Sequence, residues 1–116
     1  MKGRVEGLDG RFGREAMRSR DLGVSYWHYA PGLRLGSHAH RTEEEAYIVV
    51  SGSGRVLLDG EPRDLRRWDA FTVPPNVPRA FEAGPDGLEM IVVGGPNEGT
   101  NEQRGEVYWP EVDWPD

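Results

Sequence analysis

From residue 22 onward, short apolar runs alternate with turn-forming residues. The runs occupy 23–30, 33–37, 46–51, 55–58, 62–65, 70–73, 79–82 and 88–93, and each is rich in β-branched or aromatic side chains. Runs this short, bounded by Gly, Pro and Asp, predict the strands of an all-β sandwich or barrel. No segment carries apolar residues at helical spacing over three turns, so little helix is expected. Asp59-Gly60 reads as a two-residue hairpin turn, because both positions accept positive φ. Pro85-Asp86-Gly87 reads as a second turn. Gly52-Ser53-Gly54 interrupts an otherwise long strand and predicts a bend there. Along 46–50 both faces are apolar, so both should be covered, one by the interior and the other by a second sheet, the tail or another copy of the chain.

The flanks differ from this middle. Residues 1–21 are rich in Gly, Arg and Glu with isolated Leu8, Phe12 and Met17, and predict an irregular arm with a short helical turn around 14–18. Residues 22–95 form the expected barrel. Residues 96–116 begin polar and end aromatic. Trp109 and Trp114 are costly in a free tail, which predicts packing on the barrel or on a partner subunit.

Composition narrows the class. Glycine (16) and proline (9) make up 25 of 116 residues, which fits many turns between short strands. The net charge of −6, with basic residues scattered, disfavours a nucleic-acid face and docking to an anionic membrane. There is no apolar run of spanning length and no apolar N-terminal segment, so no membrane association is expected and a cytoplasmic location is the default. Zero cysteines remove disulfides, thiolate ligands and thiol nucleophiles together.

The chemistry concentrates between Gly32 and Gly52. On a strand, residues i and i+2 share a face, so His38 and His40 present two imidazoles side by side. Glu45 on the next strand offers a carboxylate. Two His and one carboxylate suit a divalent transition metal, whether Fe, Mn, Ni, Co or Zn. For a lone His-x-His the ordinary alternative is a pair of solvated histidines on an edge strand. Here the frame Gly32-x5-His38-x-His40-x4-Glu45-x6-Gly52 resembles the first motif of the cupin superfamily at every fixed position.

That resemblance implies a small single-domain cupin, with a jelly-roll β-barrel (double-stranded β-helix) over 22–95 and His38, His40 and Glu45 as metal ligands. Single-domain cupins often pair through an outer sheet, so a homodimer is expected. The second cupin motif aligns on 68–83 in degraded form: Pro74 keeps its proline, Asn76 stands for a glycine, Trp68 for another, and Ala83 for an asparagine. Arg79 occupies the position of the third histidine ligand, and arginine cannot ligate a metal.

Arg79 admits two readings. With a metal present, an anion is needed between the cation and the guanidinium, and a small anionic substrate would supply it. Without a metal, Arg79 pairs with Glu45 and the histidines line a binding pocket. Tyr47, in phase with Glu45, is a candidate substrate-binding donor or a packing residue. His28 is a candidate substrate-binding residue if its face of the first strand points inward; otherwise it is a structural histidine. Three functions follow: a metal-dependent enzyme on a small anion, a non-catalytic binding or sensing barrel, or an interaction module using the tail aromatics.

Overall fold

The computed structural model describes residues 6–12, 22–95 and 106–116. The helical turn expected around 14–18 lies outside the described residues, and no helix occurs among the described ones. Eight strands follow in order: β1 (Leu8–Phe12), β2 (Gly23–Tyr29), β3 (Ala39–His40), β4 (Glu44–Leu58), β5 (Glu61–Arg66), β6 (Ala70–Val73), β7 (Arg79–Gly95) and β8 (Val107–Tyr108). The fold is an all-β jelly roll.

Two long antiparallel strands, β4 and β7, pair along their whole length and belong to both halves of the molecule. In one half, β1 pairs β2, β2 pairs residues 88–94 of β7, and residues 44–49 of β4 lie between β7 and β6. In the other half, residues 53–58 of β4 lie between β5 and residues 79–83 of β7. Register shifts at Val49/Ser51 and Gly52/Gly54 mark the passage between halves. The bend expected at Gly52-Ser53-Gly54 is therefore a break in register within one strand.

The turn expected at Pro85-Asp86-Gly87 does not reverse the chain. Gly54 pairs Ala83 while Gly52 pairs Leu88, so residues 84–87 bulge opposite Ser53 and β7 continues. Both flanks of the bulge stay bonded to β4, and that continuity overrides the local turn signal. The run 33–37 is no regular strand either. It tracks β7 through Ala83 N–H to Leu33 O, Leu35 N–H to Phe81 O, and a reciprocal pair between His38 and Arg79. Asp59 (φ 50°) and Gly60 (φ 85°) make the expected hairpin between β4 and β5. Within the arm that the sequence leaves irregular, residues 8–12 instead pair with β2 as β1.

The two halves pack face to face. Tyr29, Tyr47, Val49, Met90 and Val92 from the first meet Val56, Leu65, Phe81 and Ala83 from the second in one core. Tyr47 stacks on Phe71 at 5.2 Å between ring centroids and lies 4.9 Å from Phe81. Trp68 is not part of this core. It is 64% exposed under Arg67, in a left-handed conformation (φ 72°) of the kind glycine adopts at no cost. Asn76, the other substitution for a motif glycine, is also left-handed (φ 64°).

The tail runs over the molecule twice. First β8 pairs β3, Ala39 with Tyr108 and His40 with Val107. Further on, Trp114 lies between the guanidinium groups of Arg34 (4.7 Å) and Arg55 (5.1 Å) and donates its indole N–H to Leu35 O. Asp116 pairs with the same two arginines, which also hold Glu82. Arg55 and Leu57 share a strand face, so this segment crosses the side on which Leu57 is fully buried.

Candidate metal centre

His38 and His40 flank Ala39 in extended backbone, so their rings point the same way, with centroids 5.5 Å apart. His38 is held by its backbone pair with Arg79, 2.9 Å in each direction. His40 is held by β8 and by its carbonyl, which accepts the Asn76 N–H at 2.6 Å. Glu45 enters from β4, directly opposite Gly94 of β7. A Cβ at position 94 would lie 3.2 Å from Glu43 Oε1 and 3.4 Å from Glu45 Cγ, so that glycine leaves the carboxylates their room.

Three ligand atoms, one each from His38, His40 and Glu45, lie within 4.8 Å of one another. His40 Nε2 is 3.3 Å from Glu45 Oε1, and the Tyr47 hydroxyl donates to the same oxygen. The donor set and spacing fit a divalent transition metal. So do the protonation states of His38 and Glu45, because a metal needs neutral imidazole and ionised carboxylate, whereas His40 has a proton for the ion to displace. Burial lowers His38 to about 4, against a smaller opposing pull from the Glu45 charge, so it is neutral at physiological pH. Burial pushes Glu45 up, but the hydrogen bond and charge of His40 and the Tyr47 hydroxyl outweigh it and hold the carboxyl down at about 2. Burial lowers His40, yet its hydrogen bond to Glu45 and that charge win, leaving it raised.

These environments give the metal-free protein a stability maximum near pH 6.5. Below that pH the unfolded chain protonates His38 while the fold does not until about 4, so stability falls across that window, by on the order of 3 kcal/mol. Glu45 adds a second loss of similar size from about 4.5 down to about 2. His40 has the opposite sign: its contribution is full below about 6.5 and is lost as pH rises through its raised value. Urea unfolding across pH is expected to show this maximum, and His38→Gln to flatten the limb between 6.5 and 4.

Arg79 sits beside this cluster with no solvent exposure. Its Nη2 donates to Pro74 O at 3.3 Å, and Nη1 approaches Glu45 Oε1 to 3.8 Å, beyond hydrogen-bond range. Nε and Nη1 are buried without a hydrogen-bond partner. Tyr47 is buried against Glu45, and burial together with that charge raises its phenol well above the ordinary value, so it keeps its proton.

His28 does not join the cluster. On β2 it is Trp27 and Tyr29 that pack into the core, whereas His28 lies on the other face, paired across β7 with Glu89. Strand alternation puts its neighbour at the site instead. Tyr29 is buried edge-on to Phe81 and raised by burial and then by the Glu45 charge. The sequence leaves the inward phase of β2 open and does not single out Tyr29. Glu106 is missed too. It is 7% exposed, accepts hydrogen bonds from the backbone of Thr42 and Glu43, and lies 3.3 Å from His40 Nδ1. Nothing in the polar stretch around it marks it out; only the pairing of β8 with β3 brings it in.

The comparisons agree with this architecture. Residues 25–94 match the cupin domain family. Dimethylsulfoniopropionate lyase DddW of Ruegeria pomeroyi is 36% identical over 71 residues, which are 61% of this chain and 46% of that protein. The chain thus spans less than half the length of that relative. A cupin protein of Bacteroides fragilis superimposes with a TM-score of 0.72 at 22% identity, covering 86% of each chain. Dimethylsulfoniopropionate lyase DddQ of Ruegeria pomeroyi gives a TM-score of 0.65 at 25% identity, over 71% of this chain and 42% of that one. A family match over most of the chain, on a jelly roll that brings both histidines and the glutamate of the first motif together, makes this protein a cupin.

Proposed function

We propose that this protein is a metal-dependent enzyme that acts on a small carboxylate-bearing molecule, held between a divalent ion on His38, His40 and Glu45 and the guanidinium of Arg79. One observation carries the reading. A fully buried arginine, two of its nitrogens without hydrogen-bond partners, lies beside three converging side chains of the kind that hold a metal ion. Buried unpaired donors are costly, and an anion is the partner they lack.

A bound ion supplies Lewis-acid polarisation of a substrate oxygen. The chain's own groups do the rest. Glu45 and His38 are partly open, so a ligand enters past them and reaches Arg79 by displacing its long, unbonded approach to Glu45. Tyr47 and Tyr29 both keep their protons beside the Glu45 charge, and the Tyr47 hydroxyl, donating to Glu45, holds that carboxylate in place for the ion. Dimethylsulfoniopropionate, named for both lyases that resemble this chain, carries a carboxylate of the kind Arg79 would take.

A second reading keeps the barrel free of metal, as a binding or sensing module. The 3.8 Å approach of Arg79 to Glu45 favours it, since the two charges already face each other. Elemental analysis of untagged protein, grown with supplemented metals, separates the two. Near-stoichiometric metal that disappears in His38→Ala is expected. Metal-free wild-type protein would leave only the pocket.

The outer face of the first half, with Val24, Ile48, Ile91 and Val93 half-buried, supports pairing of two copies as part of this proposal. Sedimentation at a dimer mass is the expected result.

A further inference from the structure

His40 is gripped on two edges. Its Nε2 faces Glu45 across 3.3 Å and its Nδ1 faces Glu106 across 3.3 Å. Nδ1 is buried and makes no hydrogen bond elsewhere, and its approach to Glu106 is off the line of an aligned one. Glu106 is itself fixed. Its oxygens accept the Thr42 N–H at 3.0 and 3.2 Å, the Glu43 N–H at 3.1 Å and the Thr42 hydroxyl. The strap is pinned alongside by Arg41 N–H to Glu106 O at 2.7 Å and by the Tyr108 hydroxyl on Asn76 Oδ1 at 2.9 Å.

His40, Glu43 and Glu106 also have ligand atoms within 4.8 Å of one another. That cluster is a poor second ion site, because three donors already occupy the Glu106 oxygens. What Glu106 retains is a fixed negative charge against one ring nitrogen. A carboxylate there favours a proton on Nδ1 and so competes with Glu45, which draws the proton to Nε2 in the metal-free protein. Once a metal replaces the Nε2 proton, the Nδ1–H form that Glu106 favours is the one that ligates.

We infer that Glu106, delivered by the C-terminal strap, is a positioning residue that biases the His40 tautomer and thereby sets the affinity of the metal centre. The inference rests on the metal-dependent reading above for its second half only. The strap thus completes a site whose ligands all come from the barrel motif.

The test uses the full chain, with Glu106→Ala, Glu106→Gln as the conservative rescue, and Tyr108→Phe as a control that loosens the same strap without touching the carboxylate. Nitrogen-15 NMR of the metal-free proteins, at a pH where the imidazoles are neutral, reads the His40 tautomer. Competition with a chelating dye reads cobalt(II) affinity. Against the pull of Glu45 on Nε2, the wild type is expected to populate the Nδ1–H form more than E106A does. E106A should lose that preference and bind cobalt about 10–100-fold more weakly, with E106Q between the two and Y108F within about twofold of wild type. An unchanged tautomer in both Glu106 variants overturns the inference, as does unchanged cobalt affinity, or an equal loss in Y108F. If the wild type takes up no cobalt while its tautomer still responds to Glu106, the metal reading falls and the coupling between these two residues stands.

Discussion

Arg79→Met is expected to weaken binding of a small monocarboxylate to the metal-loaded protein by about a hundredfold, while leaving the metal-free fold as stable as the wild type or more so. The binding loss follows from removing a buried charged donor from an anion, an effect of roughly 2–5 kcal/mol. The stability result is less obvious, because losing one member of a buried ion pair usually destabilises strongly. Here the geometry decides otherwise. Arg79 makes no hydrogen bond to Glu45, and two of its nitrogens are buried without partners, each costing about 1–3 kcal/mol. Glu45 keeps His40 and the Tyr47 hydroxyl, which are the interactions that hold it ionised. Methionine fills a comparable volume without those donors. Calorimetric titration with propionate and urea unfolding in chelator measure the two halves. Destabilisation by several kcal/mol, with carboxylate affinity unchanged, would show that Arg79 serves Glu45 and not a ligand.

The second large effect concerns Gly52, the closing glycine of the histidine motif. Gly52→Ala is expected to cost about 4 kcal/mol or more, a severe fraction of the roughly 5–15 kcal/mol that holds a domain together. Gly52 has φ 78°, which alone costs alanine about 1–2 kcal/mol. The larger part is steric. A Cβ there would lie 2.1 Å from the Gly87 carbonyl oxygen and 2.8 Å from its carbon, both backbone atoms of the paired strand. The β4–β7 pairing would have to open where both strands pass from one half to the other. Gly36 is the control: an added Cβ meets nothing within 4 Å, so Gly36→Ala should be close to neutral. Chemical denaturation of the two variants makes the comparison, and similar losses in both would refute the steric account.

These two positions show how far local sequence reaches. Period-two alternation with β-branched residues is a property of the chain itself, so the strands, the all-β class and the pairing of His38 with His40 on one face are readable without a fold. The Asp59-Gly60 hairpin is readable for the same reason, because its cause is a backbone preference of two adjacent residues. The glycine frame from Gly32 to Gly52 identifies the family, and with it Glu45 as the third candidate ligand.

Other features depend on groups far apart in sequence. Pro85-Asp86-Gly87 carries a sound turn signal, yet β7 runs on because both of its flanks remain bonded to β4. The phase of β2 is ambiguous in sequence, since Tyr26 and His28 alternate with Trp27 and Tyr29 in equally mixed faces. Packing against Phe81 settles it for Tyr29. Arg79 can be flagged from the degraded second motif, but its sealed environment and unpaired nitrogens depend on Pro74, Glu45 and the backbone of His38 together.

His38, His40 and Glu45 were thus determined by the sequence, because strand alternation and motif spacing act over a few residues. Tyr29, Glu106 and the state of Arg79 were decided by tertiary structure alone, because burial and charge pairing are set by neighbours that only the folded sheets bring within a few ångströms.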